Sequence, residues 1–248
     1  MPSTLTKFVA IGIAILAIAA FLTLDSGGKV EIENSKFDQD KFRSLFREYI
    51  FQSYKDQRGI HLESVLSALG ALSGFSLQQG IREELILNRG QPENEVFTIV
   101  KTKNGEKYYF GSVFDQPLFD TRSGQFSVWA IVAGGAQDAG ASNLPDINAL
   151  AKSNAEAVGG GDYGVLSVSA NHQPKDQPLS AIRKHWEFTE NILRAKGVDP
   201  LAWSWEIALV AQDIIILGKD AVDPTLAAQI VMESAISMAK IDPDLVIQ

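Results

Sequence analysis

The chain has 248 residues, 46% of them hydrophobic, no cysteine and a formal net charge of −8. That size and apolar content suit one domain or two small ones with a real core, so disorder is not the default reading. Lack of cysteine excludes disulfides, Cys-ligated zinc, iron–sulfur centres and thiol nucleophiles, and the acidic balance argues against a nucleic-acid binder, which needs clustered Lys and Arg.

The N-terminus carries the strongest signal. From Phe8 to Leu24 the run FVAIGIAILAIAAFLTL holds no charge, and Lys7 is the one charged side chain before it. Its length falls at the short end of the roughly 17–25 residues that cross a hydrocarbon core, and helical hydrogen bonding would satisfy its backbone in lipid. Residues 1–24 are therefore expected to form a retained transmembrane anchor, 25–37 a linker, and 38–248 a soluble, mainly α domain. A cleaved secretory signal is the competing reading, with Ala17-Ile18-Ala19 as the cut, and it would leave a secreted domain. Phe21, Leu22 and Leu24 count against cleavage, because they would leave a greasy new terminus. Ala10 and Ala14 form a small-xxx-small pair, a spacing that arises by chance in an Ala-rich span. Lys29, Lys36, Lys41 and Arg43 after the span outnumber Lys7 before it, which by the positive-inside rule points toward a cytoplasmic body.

Beyond the anchor, Phe42, Leu45, Phe46, Tyr49, Ile50 and Phe51 recur at helical spacing and predict an amphipathic helix from Asp38 to Lys55. Lys41, Arg43, Arg47 and Glu48 on its other face are expected to face water, with contact to lipid headgroups as a lesser alternative. His61 to Leu87 predicts a helix apolar almost all round at its centre, hence a core helix. Within it Ser67, Gly70, Ala71 and Gly74 make a strip of small side chains, and two glycines at about 1 kcal/mol each imply close packing of a second helix.

The period then changes. Glu95 to Thr102 is rich in β-branched and aromatic residues, Asn104-Gly105 suits a tight turn, and Lys107 to Phe110 returns, predicting a β-hairpin at about 95–111. One face of that hairpin should lie on the helices, since two strands alone are marginal in water. Helices are expected at Ser127–Ala139 and Asp146–Val158. A loop over 159–178 follows, within which Val165 to Ser169 reads as a short strand. Loops that long in compact domains are usually functional or mobile. Three Asp-Pro pairs, Asp199-Pro200, Asp223-Pro224 and Asp242-Pro243, combine an N-cap carboxylate with proline at N1. Helices are accordingly predicted at about Leu179–Ala195, Pro200–Leu217 and Pro224–Ala239.

Chemistry is sparsely signalled. His61, His172 and His185 belong to no metal-ligand spacing, so structural or surface roles are expected and no metal site is assigned. Gly74-Phe75-Ser76-Leu77-Gln78 lacks the last glycine of a nucleophile elbow and falls in a helix, so no catalytic residue is assigned either. The loop Gly159-Gly160-Gly161-Asp162-Tyr163-Gly164 could offer amides to an anion, although glycine after a helix is ordinary capping chemistry. Gly160, Gly161, Asp162 and His172 are the binding candidates. Trp203 and Trp205 lie about 200° apart on a helix, so both cannot enter one core.

The expected fold is an N-terminal transmembrane helix followed by one helical domain of six or seven helices with a single hairpin. The leading functional expectation is a single-pass accessory or interaction protein on a bacterial-type membrane, held there by residues 8–24, with a protein partner and without a cofactor. The first alternative is a small-molecule-binding protein or enzyme using the loop at 159–178.

Overall fold

The computed structural model describes residues 37–119 and 126–246. The anchor expected at 1–24 and the linker up to residue 36 lie outside the described residues. What is described is mainly helical, with nine α-helices and two small antiparallel hairpins among those residues.

Helix α1, Gln39–Ser53, starts at Asp38, whose carboxylate accepts the Lys41 amide at 3.0 Å. Phe42, Phe46 and Ile50 recur every four residues along it and are fully buried. Strands β1 (Lys55–Asp56) and β2 (Gly59–Ile60) then pair antiparallel, a second hairpin where a single one was expected. Two-residue strands are too short to display an alternating pattern; the turn between them is made by Asp56, whose carboxylate accepts the Arg58 amide at 2.7 Å, and by Gly59 at φ 114°.

Helix α2, Leu62–Ile81, is buried along most of its length and continues as a π-helical stretch over Arg82–Asn88. Its small-residue strip meets α9, Pro224–Met238. A Cβ added to Gly70 would stand 2.2 Å from the Val231 carbonyl oxygen, and one on Gly74 would stand 2.0 Å from that of Ala235. Beside this contact Ser67 and Ser234 join their hydroxyls at 3.0 Å. The two glycines thus lower helix propensity in order to let the backbones touch.

Residues Glu93–Val96 form a one-turn helix, α3, where the sequence predicted the start of a strand. Pro92 opens that turn, and the Phe97 amide closes it on the Glu93 carbonyl, so pairing begins later. Strand β3 (Thr98–Lys101) pairs with β4 (Lys107–Phe110) in the register Thr98↔Phe110 to Lys101↔Lys107, with Gly105 at φ 85° in the turn. Tyr109 packs edge-on against Phe97, which stacks on Phe114, and Tyr108 bridges to Ile241. The hairpin is therefore pinned to the helical body, as expected.

Next come α4 (Asp115–Phe119), α5 (Val128–Asp138), α6 (Ile147–Glu156), α7 (Pro178–Ala195) and α8 (Trp203–Leu217). The short α3 and α4 account for the excess over six or seven helices. All three Asp-Pro carboxylates cap as expected, accepting amides of Leu201, Leu226 and Asp244. Those of Asp199 and Asp242 open one-turn 3₁₀ segments, Pro200–Ala202 and Pro243–Leu245. Pro200–Leu217 is long and apolar enough to cross a membrane by length and composition. In the fold it is a core helix, with Trp203, Ile207, Ala208, Val210 and Ala211 buried. Trp203 lies inside that core, while Trp205 is partly exposed and reaches the Pro117 carbonyl at 3.4 Å.

No strand forms at 165–169. Side chains hold that backbone instead: Glu233 accepts the Ser167 amide at 2.7 Å, and the Gln173 amide donates to the Leu166 and Val168 carbonyls at 2.9 Å. Polar groups satisfied in this way leave no ladder to extend.

Candidate functional site

Helix α6, the following loop and α9 enclose an open groove of about 270 Å³. Ser153, Asn154, Asp162, Ser167 and Glu233 supply its polar lining, and Leu150, Val165 and Leu166 its apolar wall. Glu233 is fixed there by Gln229 at 2.8 Å and by both the amide and the hydroxyl of Ser167. Two carboxylates and hydroxyl or amide groups make the lining acceptor-rich, suited to hydroxyl or cationic groups and not to an anion.

The sequence candidates part company. Asp162 lines the groove, whereas Gly160 and Gly161 are exposed and do not line it. The Gly160 amide is spent on the Ala157 carbonyl at 2.9 Å, and Gly159 and Gly164 hold φ of 76° and 80°. This is the helix-ending chemistry set against the anion-cradle reading above.

His172 lies elsewhere, its Nδ1 2.9 Å from Glu63 Oε1. The other carboxylate oxygen faces His61 Nε2 at 3.7 Å, so one glutamate holds two of the chain's three histidines. His61 caps α2, its Nδ1 accepting the Ser64 amide at 3.3 Å. Hence Nδ1 carries no proton, and the Ser64 hydroxyl donates to it at 2.8 Å while accepting the Lys175 amide at 2.8 Å. The series Ser64–His61–Glu63 has the residue types of a hydrolytic relay, but Ser64 is 1% exposed and its oxygen is already shared. It acts as a clasp between the head of α2 and the loop. Among the described residues no group of three or more His, Asp or Glu is arranged to hold a metal ion.

His185 is buried between two phenols, Nδ1 2.9 Å from the Tyr49 hydroxyl and Nε2 3.2 Å from that of Tyr54. Burial, with Lys184 nearby, pushes its pKa down to about 4. A neutral ring suits this setting, one nitrogen donating and the other accepting.

Glu206 of α8 is 1% exposed, and the Gln39 side-chain amide donates to its oxygens at 2.7 and 3.0 Å. Desolvation pushes its pKa up to about 7, against the pull of Gln39 and Arg43. Further along α8, Asp213 faces Arg43 at 3.6 Å and Arg47 at 3.9 Å. The arginines expected to face water are thus turned onto α8, which leaves them less free for lipid headgroups.

Lys240, at the end of α9, is 7% exposed, and its Nζ finds the Asn154 side-chain oxygen at 3.3 Å and the Phe110 ring at 5.1 Å. Among the described residues no carboxylate lies within ion-pair distance of it. Burial lowers its pKa to about 8, although Asp115 acts the other way. Sequence reading missed this amine, because its partners lie on α6 and β4 and no local motif marks it.

No protein-family model, curated protein or solved structure matches the chain.

Proposed function

We propose that the chain is a single-pass membrane-tethered accessory protein, moored by residues 8–24, whose helical body engages a protein partner from the cytoplasmic side. The observation that carries this reading is the charge-free run from Phe8 to Leu24, set beside a body whose apolar core is assembled from residues 42–241. Engagement of all three histidines in holding secondary structure and loops together also supports a binding role over a catalytic one.

Fractionation of cells expressing the full chain tests the tether. Intact polypeptide should stay with membranes through an alkaline wash and leave them in detergent, and Ile15→Arg should move it to the aqueous fraction, since a central Arg costs about 3 kcal/mol in an inserting helix. Intact native chain found wholly in the aqueous fraction would refute the tether, and a shortened mature chain would identify a cleaved signal. Sidedness follows from a Lys219→Cys variant, which introduces the sole thiol and should resist a membrane-impermeant maleimide in intact cells.

A second reading rests on the groove beside Asp162 and Glu233. Its volume and acceptor-rich lining fit a small, uncharged polyhydroxy compound. Ser153→Trp, placed at the exposed rim, should block such binding without disturbing the core.

A further inference from the structure

We infer that Lys240 is a carbonyl-trapping amine at the Asn154 end of the groove, where it condenses with a small hydroxyaldehyde to form a Schiff base. The inference rests on the groove reading and adds a covalent step to it.

Three observations bear on it. An ammonium carries three donors, yet Nζ meets one neutral amide oxygen, at 3.3 Å, and the face of Phe110. Such an acceptor-poor setting favours the neutral amine, and the pKa lowered to about 8 agrees with that geometry. Asn154 belongs to both places, since its side chain accepts from Nζ and the residue lines the groove. Lys240 itself does not line the groove, so the amine meets a ligand seated against Ser153, Asp162 and Glu233 only once the Asn154 amide swings aside. Those acceptors select hydroxyl groups and repel anions, so the ligand is an uncharged hydroxyaldehyde and not a phosphorylated one.

The step balances without an oxidant or reductant. The Nζ lone pair adds to the carbonyl carbon, the π pair moves to oxygen, and a proton passes from nitrogen to oxygen to give a carbinolamine. Loss of water then forms the C=N bond, and water returns to reverse it.

Reductive trapping on the full chain in detergent tests this. Glyceraldehyde with cyanoborohydride at pH 7.5, followed by peptide mass mapping, should modify Lys240 about tenfold faster than the exposed Lys103, because the acceptor-poor surroundings of Lys240 Nζ favour its neutral, nucleophilic form. Glycerol, which has the hydroxyls and no carbonyl, should slow trapping at Lys240 and leave Lys103 unchanged, as should Ser153→Trp. Equal rates at Lys240 and Lys103, with glycerol still protecting groove amides from hydrogen exchange, would overturn the amine's role and leave the groove reading standing. Fast trapping at Lys240 that neither glycerol nor Ser153→Trp slows would overturn the groove reading and the site with it.

Discussion

Gly74 of α2 passes so close to Ala235 of α9 that a single added carbon would lie 2.0 Å from the Ala235 carbonyl oxygen. Contact at this distance is possible for hydrogen alone, so the backbone separation of the two helices is set by the absence of a side chain.

Gly74→Ala therefore tests steric against intrinsic terms. Helix propensity favours alanine by about 1 kcal/mol, whereas overpacking a close contact costs about 1–3 kcal/mol or more. Backbone cannot rotate away as a side chain can, so the variant should lose about 2 kcal/mol, read by denaturant unfolding. Gly134→Ala in α5 provides the opposite sign. Its Cβ would meet Gln212 Nε2 at 3.5 Å, an ordinary contact, and the variant should gain up to about 1 kcal/mol.

The strip around Gly74 also marks how far sequence reading reaches. Period and capping residues located seven helices, and Asn104-Gly105 located the longer hairpin, because those signals are local. Between partners the picture differs. His172 and Glu63 lie 109 residues apart, and Lys240 and Asn154 lie 86 apart, so neither pairing leaves a spacing to detect. Asp162 stands out in the sequence because it sits in a glycine-rich loop, whereas Glu233, which lines the same groove, looks like any helical glutamate. The π-helical stretch at Arg82–Asn88 has no propensity signature of its own.

Glu206 gives a stability that depends on pH. Its folded pKa of about 7 lies above the ordinary 4.5, so the folded state binds the proton more tightly. The resulting stabilisation is fully present below pH 4.5 and is lost as pH rises through 7, a difference on the order of 3 kcal/mol. Glu206→Gln should remove that loss and raise the melting temperature at pH 8 relative to the native chain. An unchanged melting temperature at pH 8 would contradict the desolvated carboxylate.

His185 carries the opposite slope. Its folded pKa of about 4 lies below the ordinary 6.5, so the unfolded chain takes up the proton first. Stability from the neutral ring is present above pH 6.5 and falls as pH drops toward 4, again by on the order of 3 kcal/mol. Between pH 4.5 and 6.5 the two groups oppose one another, and their contributions should leave the native profile nearly flat. Glu206→Gln should expose a fall in stability toward acid, and His185→Gln a rise. Melting curves of both variants across pH 4.5–8 check the pair, and parallel slopes in the two would refute the assignment.

His172→Ala tests the clasp at the head of α2. The loop is held there by the His172–Glu63 contact at 2.9 Å, the Lys175 amide on Ser64 at 2.8 Å, and the Lys175–Asp56 ion pair at 2.7 Å. Each is partly or wholly exposed except the Ser64 hydroxyl, and exposed contacts of this kind are screened by water and contribute little to global stability. Removing the imidazole should leave the global melting temperature nearly unchanged, because the core does not include it. Hydrogen exchange should nevertheless quicken at residues 170–176, since the local opening energy of a loop is small and one of its few anchors is gone. Ser64→Ala should act more strongly at the same amides, because it removes the hydroxyl that links His61 to Lys175. A uniform rise in exchange across the body in either variant would mean that the segment unfolds with the core and that no separate clasp exists.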